Sequence, residues 1–472
     1  MTSVLMVASE ATPFAKVGGL ADMVGALASA LCARGEEVAV VMPRYRGVPL
    51  EGAECVRERL AVWLAPGTFY DASLWRVMEG QVPYYFVECP PLYDRDGIYG
   101  DPADYPDNHL RFAVLCQAAL GVVRYVFRPQ VLHCHDWQAA LLPIYVRTRL
   151  YGDPTFLGLK TLLTIHNLGY QGIYRPNILS QIGLEQTLFH PDALEFFGQV
   201  NLLKGAIRYS DALNTVSPTY VREIQTPELG FGLNSLLASR SDVLSGILNG
   251  ADYALWNPET DPHLAANYSA ADLSGKRRCK ADLLGELGLP SDNLDRPLVG
   301  MVSRLDSQKG FDLLGQAAPE LAAEDLCLAV LVTAGPRYEG FLRDWAAAHP
   351  DKIAVRIAFD ERLAHKIQAG SDMLLVPSRY EPCGLGQIYA LRYGTVPVVR
   401  ATGGLEDTVD ESTGFKFSDY TGASMLSALR AALAAFRDPE QWRARMLRGM
   451  AKDFSWEDSA AQYAALYRRL AA

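Results

Sequence analysis

Short runs of consecutive apolar residues alternate with longer segments of helical period along the chain. The first run covers residues 4–8 and is followed by a glycine-containing loop. Residues 21–33 then have the 3.6-residue period of a helix that stops at Gly35, and a second apolar run covers residues 38–42. Continuous apolar strands separated by helices predict a parallel sheet with helices on both of its faces.

The same unit of strand and helix recurs in two separate stretches. Before Asn249, the further strands are predicted at 131–134, 161–165 and 212–216; after it, they are predicted at 298–302, 328–333, 353–357, 373–377 and 396–399. We therefore predict an α/β protein with two doubly wound, Rossmann-like domains, residues 1–245 and 250–455. Such domains bind ligands at the carboxyl ends of their strands, so we expect the two to face each other across a deep ligand cleft. An amphipathic helix near the C-terminus could pack on either domain.

Composition bears on partners and location. The 472-residue chain has a formal net charge of −10, which argues against nucleic acid and anionic membranes as partners. Its eight cysteines are scattered without a CxxC pair, as is typical of reduced thiols. The N-terminus lacks the basic segment of a signal peptide, and no apolar stretch reaches the roughly 18 residues of a membrane span. We expect a cytoplasmic protein; its oligomeric state is not indicated.

A pair of glycines follows the first predicted strand. Lys16 precedes Gly18 and Gly19, and Asp22 lies in the first turn of the helix that they open. Paired glycines let a backbone approach a phosphate or a sugar, and a helix N-terminus favours negative charge. A flexible turn with a solvated lysine is the alternative. The spacing is not GxGxxG, so a dinucleotide site is not indicated.

A cluster of His, Cys and Asp ends the strand at 131–134. A metal site is conceivable, but Cys134 points away from His133 and His135, and no second ligand cluster is present. We favour Asp136 and Trp137 as the lining of a sugar site. His166 follows the next strand in a polar loop, where it could contact substrate or cap the strand.

Charged residues follow two strands of the second domain. Arg304 and Lys309 flank a turn, where two cations could neutralise a diphosphate with charge-assisted hydrogen bonds of roughly 1.5–3 kcal/mol each. A surface pair is the alternative. Glu381 could accept hydrogen bonds from sugar hydroxyls. Further candidates lie in two turns that open helices, which suits phosphate or close backbone approach: Cys383, Gly384 and Leu385, and Thr402, Gly403 and Gly404. Cys383 could instead be a structural thiol.

Seven segments occur in a specific order from the first strand towards the last helix. They are K-V-G-G-L, H-D-W, T-I-H-N-L-G-Y-Q-G, N-T-V-S-P-T-Y, N-G-A-D, S-R-L-D-S-Q-K-G and E-P-C-G-L. Together they resemble the bacterial and plastid glycogen (starch) synthases, which are retaining glycosyltransferases of the two-Rossmann-domain (GT-B) class, family 5. The resemblance covers nearly the whole chain.

The resemblance implies a reaction and a role for each candidate. The donor would be ADP-glucose and the acceptor an α-1,4-glucan such as glycogen, with retention at the anomeric carbon and with neither metal nor cofactor. The catalytic residues would be His166 and Glu381, which bind the transferred glucose, and Arg304 and Lys309, which hold the diphosphate. Lys16 and the glycine turn would contact the donor, Cys383 would lie near its sugar, and Asp136, Trp137 and Asn249 would line the acceptor side or the donor sugar. Residues 456–472 would complete the first domain.

The chain also departs from the family pattern. Gly386 stands where threonine is usual and Gln138 where histidine is common, and the turn after 328–333 reads T-A-G-P-R. These departures leave the nucleotide preference open. The one D-x-D segment, Asp94 to Asp96, lies in a loop, and we interpret it as a turn. The alternatives are a related GT-B transferase with another donor or acceptor, a sugar-nucleotide epimerase of the same fold, and an inactive carbohydrate-binding relative.

Overall fold

A computed structural model of the chain describes residues 1–100 and 103–472. The described residues divide into two compact units. The first unit contains residues 1–250 and 456–472, and the second contains residues 251–455. Within the described ranges, no helix is both long enough and apolar enough to cross a membrane.

The first unit begins at the N-terminus. Its strands are β1 (Ser3–Val7), β2 (Glu37–Pro43), β3 (Glu54–Ala65), β4 (Thr68–Glu79), β5 (Val82–Glu88), β6 (Val131–His135), β7 (Lys160–Ile165), β8 (Ile173–Tyr174), β9 (Glu195–Phe196), β10 (Gln199–Asn201), β11 (Ala212–Thr215) and β12 (Leu244–Gly246). Its first helices are α1 (Gly19–Ala33), α2 (Pro90–Tyr93), α3 (Asn108–Tyr125), α4 (Leu141–Arg147), α5 (Ile178–Gln181), α6 (Leu202–Tyr209), α7 (Pro218–Glu223) and α8 (Asn234–Ser239).

Nine strands of the first unit form one sheet in the order β12-β11-β7-β6-β1-β2-β5-β4-β3. The strands from β12 to β5 are parallel, and β4 and β3 continue the sheet as an antiparallel hairpin. β1 is buried almost throughout, as expected for a strand covered on both faces. The strand order reverses between β1 and β6, which makes the loops after these two strands the expected ligand site of this unit.

The second unit is a doubly wound domain of its own. Its strands are β13 (Leu298–Ser303), β14 (Cys327–Val332), β15 (Ile353–Ile357), β16 (Met373–Val376), β17 (Val396–Arg400) and β18 (Phe415–Phe417). Its helices are α9 (Ser274–Leu287), α10 (Phe311–Ala323), α11 (Glu339–Ala348), α12 (Glu361–Gly370), α13 (Gly386–Arg392), α14 (Gly403–Thr408), α15 (Gly422–Phe436) and α16 (Pro439–Met450).

The sheet of the second unit has the order β15-β14-β13-β16-β17-β18, and all neighbouring strands are parallel. This is the strand order of a dinucleotide-binding Rossmann domain. Its order reverses between β13 and β16, so the loops that follow these two strands meet at the expected ligand edge.

The last helix, α17 (Trp456–Ala471), packs on the first unit. The Tyr467 hydroxyl lies 2.8 Å from Nδ1 of His133 in β6, and Asn214 in β11 donates from Nδ2 to the Tyr463 hydroxyl at 2.7 Å. Both tyrosine rings are fully buried. α17 therefore covers one face of the sheet behind the carboxyl end of β6.

Candidate functional site

Glu10, in the loop after β1, holds the glycine turn in place. Its Oε2 accepts the backbone N–H groups of Val17 at 2.6 Å and Gly18 at 3.1 Å, and its Oε1 accepts the Tyr99 hydroxyl at 2.6 Å. Glu10 is only 3% exposed, and burial raises the pKa of its carboxyl group. We did not single out Glu10 from the sequence, because no motif marks it.

The glycine turn itself leaves open space at the start of α1. Gly18 precedes the helix with an extended backbone, and a Cβ atom built on Gly18 or Gly19 would meet no described atom within 4 Å. Lys16 Nζ lies 2.8 Å from Asp22 Oδ1, with both side chains about one-third exposed. Packing inside the unit therefore does not require these glycines, and the space above them is available to a ligand.

Asp136 joins the loops after β6 and β7. Its Oδ1 accepts the backbone N–H of His166 at 2.7 Å, and the N–H of Asn167 also bonds to its carboxylate. Burial raises the pKa of Asp136 to about 7, despite these two N–H donors. Its backbone has φ of 55° and ψ of −168°, a conformation that non-glycine residues seldom adopt. The surrounding hydrogen bonds hold this strained residue at the strand end.

Three histidines lie side by side behind this loop. Nδ1 of His135 is 3.0 Å from Nε2 of His166, and the rings of His133 and His135 lie 4.0 Å apart. The other nitrogen of His133, Nε2, is 2.7 Å from the Thr164 hydroxyl. Burial lowers the pKa of all three rings, that of His166 to about 3. These rings are therefore neutral at physiological pH.

Two sequence segments contain residue types that can bind metals, and the structure shows how their side chains are arranged. In residues 1–100 and 103–472, no group of three or more His, Cys, Asp or Glu side chains is arranged to hold a metal ion. The carboxylates of Asp94 and Asp96 both pair with Arg46, at 2.7 and 2.6 Å. The D-x-D segment is thus neutralised by an arginine.

Trp137 and Asn249 are both buried in the first unit. Trp137 is 8% exposed, its ring meets Phe112 edge-on at 5.1 Å, and a Cβ on Gly172 would lie 2.5 Å from it. The ring therefore packs inside the unit, and its contact with a sugar stays a prediction. Asn249 is 6% exposed, and its Oδ1 has no hydrogen-bond donor among the described residues. This oxygen could accept a hydrogen bond from a ligand.

In the second unit, the loops after β13 and β16 interlock. The Arg379 N–H donates to the Gln308 carbonyl at 2.7 Å, and Gln308 Nε2 donates to the Tyr380 carbonyl at 3.1 Å. Gly310 has φ of 77°, and a Cβ there would overlap the carbonyl oxygen of Pro377. Glycine is therefore required at this position, because the two backbones touch.

This contact brings Lys309 to Glu381. Nζ of Lys309 lies 2.7 Å from Oε2 of Glu381, and the Ser378 hydroxyl donates to the same oxygen at 2.8 Å. The two side chains of the ion pair are 18% and 9% exposed. Both partners are therefore held in fixed positions at the edge where the strand order reverses.

Arg304 is less confined than Lys309. Its side chain is 43% exposed, and its Nη2 lies 3.4 Å from Oδ2 of Asp306. The other oxygen of Asp306, Oδ1, accepts the Gln308 N–H at 2.7 Å and caps the short 3-10 turn at Ser307–Lys309. The predicted pair of cations thus consists of one half-buried ammonium and one exposed guanidinium.

The two remaining glycine segments pack against each other. Gly403 has φ of 45°, and a Cβ on it would overlap the Glu381 carbonyl, while one on Gly404 would overlap the backbone of Cys383. The Gly404 N–H donates to the Glu381 carbonyl at 3.0 Å. Loop-to-loop contact therefore requires glycine at both positions, and their predicted contact with a substrate stays a prediction.

The neighbours of these glycines are mostly buried as well. Gly384 has φ of 72°, and it is followed by Leu385, the residue that precedes α13. Cys383 is 5% exposed and Thr402 is 1% exposed. Contact of these four residues with a ligand stays a prediction.

Comparisons with known proteins cover the whole chain. The family described as "Starch synthase catalytic domain" matches residues 3–239, and "Glycosyl transferases group 1" matches residues 290–445. The glycogen synthase of Koribacter versatilis (strain Ellin345) is 47% identical over 470 residues, which is 98% of this chain and 97% of the relative. That of Anaeromyxobacter sp. (strain Fw109-5) is 50% identical over 485 residues and 99% of each chain.

Solved structures agree with these relatives. The catalytic domain of starch synthase IV from Arabidopsis thaliana, bound to ADP and acarbose, has a TM-score of 0.91 at 34% identity and covers 100% of this chain and 99% of its own. Sucrose-phosphate synthase from Thermosynechococcus elongatus has a TM-score of 0.62 at 20% identity, over 100% of this chain and 99% of its own. The second similarity shows the fold alone.

The two doubly wound units and these matches define a glycosyltransferase of the GT-B class. Within that class, the chain belongs to the glycogen (starch) synthase family. The predicted fold class and the resemblance based on the seven segments are both confirmed. The family also implies a nucleotide-sugar donor and a glucan acceptor.

Proposed function

We propose that this enzyme transfers glucose from ADP-glucose to the non-reducing end of an α-1,4-glucan, with retention of the α-configuration. The observation that carries the proposal is the Lys309–Glu381 pair, which lies where the strand order of the second unit reverses. Doubly wound domains bind nucleotides at such points. Two full-length relatives are called glycogen synthase, and the similar starch synthase IV binds ADP.

The fixed cation suits the charge that develops in the reaction. Cleavage of the bond between glucose and diphosphate builds negative charge on the leaving group, which a preorganised ammonium group stabilises. Lys309 supplies that group, and Arg304 is exposed enough to close onto a diphosphate. Glu381 lies next to the ammonium, where its carboxylate can accept hydrogen bonds from the hydroxyls of the transferred glucose.

The first unit offers groups for the sugar and for the acceptor. The open space above Gly18 and Gly19 admits a phosphate or a sugar close to the start of α1, with Lys16 as the nearby cation. His166 is half-buried and offers a neutral imidazole for hydrogen bonding. Oδ1 of Asn249 has no donor within residues 1–100 and 103–472, so it would be able to accept a hydrogen bond from a sugar hydroxyl.

Retention is assigned to attack on the same face of the sugar as the leaving group, by analogy with the family. The departing phosphate then helps to take the proton of the acceptor hydroxyl. The proposal involves neither a metal nor another cofactor, because Lys309 and Arg304 supply the positive charge that the diphosphate needs. We place the enzyme in the cytoplasm, where nucleotide sugars are made and used.

An incorporation assay tests the proposal. The protein is incubated with glycogen and either ADP-[14C]glucose or UDP-[14C]glucose, and label is counted in the precipitated polymer. We expect faster incorporation from ADP-glucose and release of the label as maltose by β-amylase, which cleaves α-1,4 bonds from non-reducing ends.

Each other outcome has a defined meaning. No incorporation from either donor would refute the synthase assignment, and a released or epimerised sugar would favour the epimerase. If β-amylase cannot release the label, the α-1,4 linkage is excluded. Faster incorporation from UDP-glucose would show that UDP-glucose, and not ADP-glucose, is the preferred donor.

A further inference from the structure

His135 has an unusual hydrogen-bonding environment. It is the last residue of β6 and is fully buried. One ring nitrogen, Nδ1, lies 3.0 Å from Nε2 of His166. The other, Nε2, is buried and has no hydrogen-bond partner among the described residues. The ring of His133, 4.0 Å away, packs against it and is itself tied to Tyr467 and Thr164.

This arrangement determines where the protons lie. Burial lowers the pKa of His135 and His166, so each ring is neutral and carries one N–H. If His166 donated the shared hydrogen bond, the proton of His135 would lie on Nε2, as a buried N–H without an acceptor. Such orphaned donors are rarer in proteins than unsatisfied acceptors. His135 therefore donates from Nδ1, and Nε2 of His166 accepts.

We propose that His135 is a positioning residue that holds His166 in the tautomer protonated at Nδ1. The half-buried ring of His166 then presents an N–H donor, and not a lone pair, to an oxygen of the transferred sugar. The inference rests on the proposed function for its catalytic consequence, but the tautomer is a property of the protein alone. The proposal also gives a role to His135, the second histidine of the H-C-H-D-W segment, without requiring a metal ion.

The first test measures the tautomer directly. The full-length protein is labelled with [15N]histidine, and long-range 1H–15N correlation spectra are recorded at neutral pH. A His166→Gln spectrum identifies the His166 signals. We expect the chemical shift of a protonated nitrogen at Nδ1 and that of an unprotonated nitrogen at Nε2. Protonation of His166 at Nε2 overturns the inference, whatever the activity.

The second test compares two substitutions of His135 that both introduce a side-chain amide but differ in side-chain length. The amide nitrogen of asparagine can occupy the position of histidine Nδ1, whereas that of glutamine reaches towards the position of Nε2. His135→Asn keeps a donor towards His166, and we expect a kcat within about threefold of that of the parent protein. His135→Gln loses this donor, and we expect kcat to fall about tenfold, as for one lost hydrogen bond.

Inhibition by ADP separates positioning from general damage. ADP lacks the sugar that His166 would contact, so its inhibition constant should stay within about twofold in both variants. Equal kcat values for the parent protein and His135→Gln would overturn the inference. If both variants unfold at lower temperature and lose activity alike, the nitrogen chemical shifts of His166 in the labelled parent protein decide whether the proposed tautomer is present. If the parent incorporates no glucose, the proposed function fails while the nitrogen shifts still test the tautomer.

Discussion

Asp136→Asn should make the protein more stable, and by an amount that depends on pH. The pKa of Asp136 is raised from the ordinary value of 3.8 to about 7 because the carboxyl group is buried. A folded protein that holds a proton more tightly than the unfolded chain loses stability as pH rises between these two values. Asparagine keeps the shape and an acceptor oxygen for the His166 N–H, but it has no charge to bury.

The magnitude follows from the two pKa values. Each pH unit between the two pKa values lowers the free energy of unfolding by about 1.4 kcal/mol. Ionisation of Asp136 therefore causes no loss of stability below pH 4 and a constant loss above pH 7. Its full size is up to about 4 kcal/mol. The stabilisation by Asp136→Asn should therefore be larger at pH 8 than at pH 5 by up to about 3 kcal/mol.

Urea unfolding at both pH values, followed by tryptophan fluorescence, measures this difference. Asp192→Asn is the control, since Asp192 is an exposed aspartate of the same unit and should give the same effect at pH 5 and pH 8. A stabilisation by Asp136→Asn that does not change with pH would refute the burial of an ionisable carboxyl group. We also expect the variant to lose activity at pH 8, because a neutral amide then replaces a charged carboxylate at the candidate site.

Three further substitutions test the site. Lys309→Ala should lower kcat about 100-fold or more in the incorporation assay, because the leaving diphosphate loses a fixed cation. The control variant Lys452→Ala removes another ion-paired lysine of the second unit and should leave kcat unchanged. Parent-like turnover of Lys309→Ala would exclude the predicted role. Gly386→Thr should have an unchanged or higher melting temperature, for two reasons. A Cβ at this position meets its nearest neighbour at an ordinary 3.8 Å, and the substitution reduces the conformational entropy of the unfolded chain. A melting temperature lower by several degrees would contradict the prediction. Glu10→Ala should raise the KM for the nucleotide sugar at least about tenfold by freeing the glycine turn. Glu10→Gln should raise this KM much less, since an amide oxygen can still accept the N–H groups of the turn. Equal KM values for the two variants would show that these hydrogen bonds do not contribute to donor binding.

The sequence predicts the central parallel strands well, because each is a continuous apolar run. The run at 353–357 coincides with β15, and the others differ from the observed strands by one or two residues at their ends. The hairpin of β3 and β4 was not predicted. Charged and exposed residues occupy much of these two strands, so the signal of a buried strand is absent. The strands β8, β9 and β10 are only two or three residues long, and β8 pairs with β10 across more than 20 intervening residues, so a local pattern does not reveal this sheet.

The candidate site was predictable only in part, for a physical reason. Residues after strand ends, such as Lys309 and Glu381, could be found because the chain direction places those ends at one edge of a sheet. Their 2.7 Å contact depends on how two loops fold over each other, which no motif encodes. For the same reason no motif shows that Gly403 and Gly404 touch the backbone of Glu381 and Cys383. Their contact with a ligand stays a prediction.

The position of α17 has a consequence for biosynthesis. Tyr463 and Tyr467 lie against β11 and β6, yet they are translated after the whole of the second unit. While residues 251–455 are being translated, the first unit has already been made but lacks the helix that covers the back of its sheet. His133 acquires its contact with Tyr467 only after residues 456–471 have been made, and a chain truncated before residue 456 leaves that face of the sheet exposed to water.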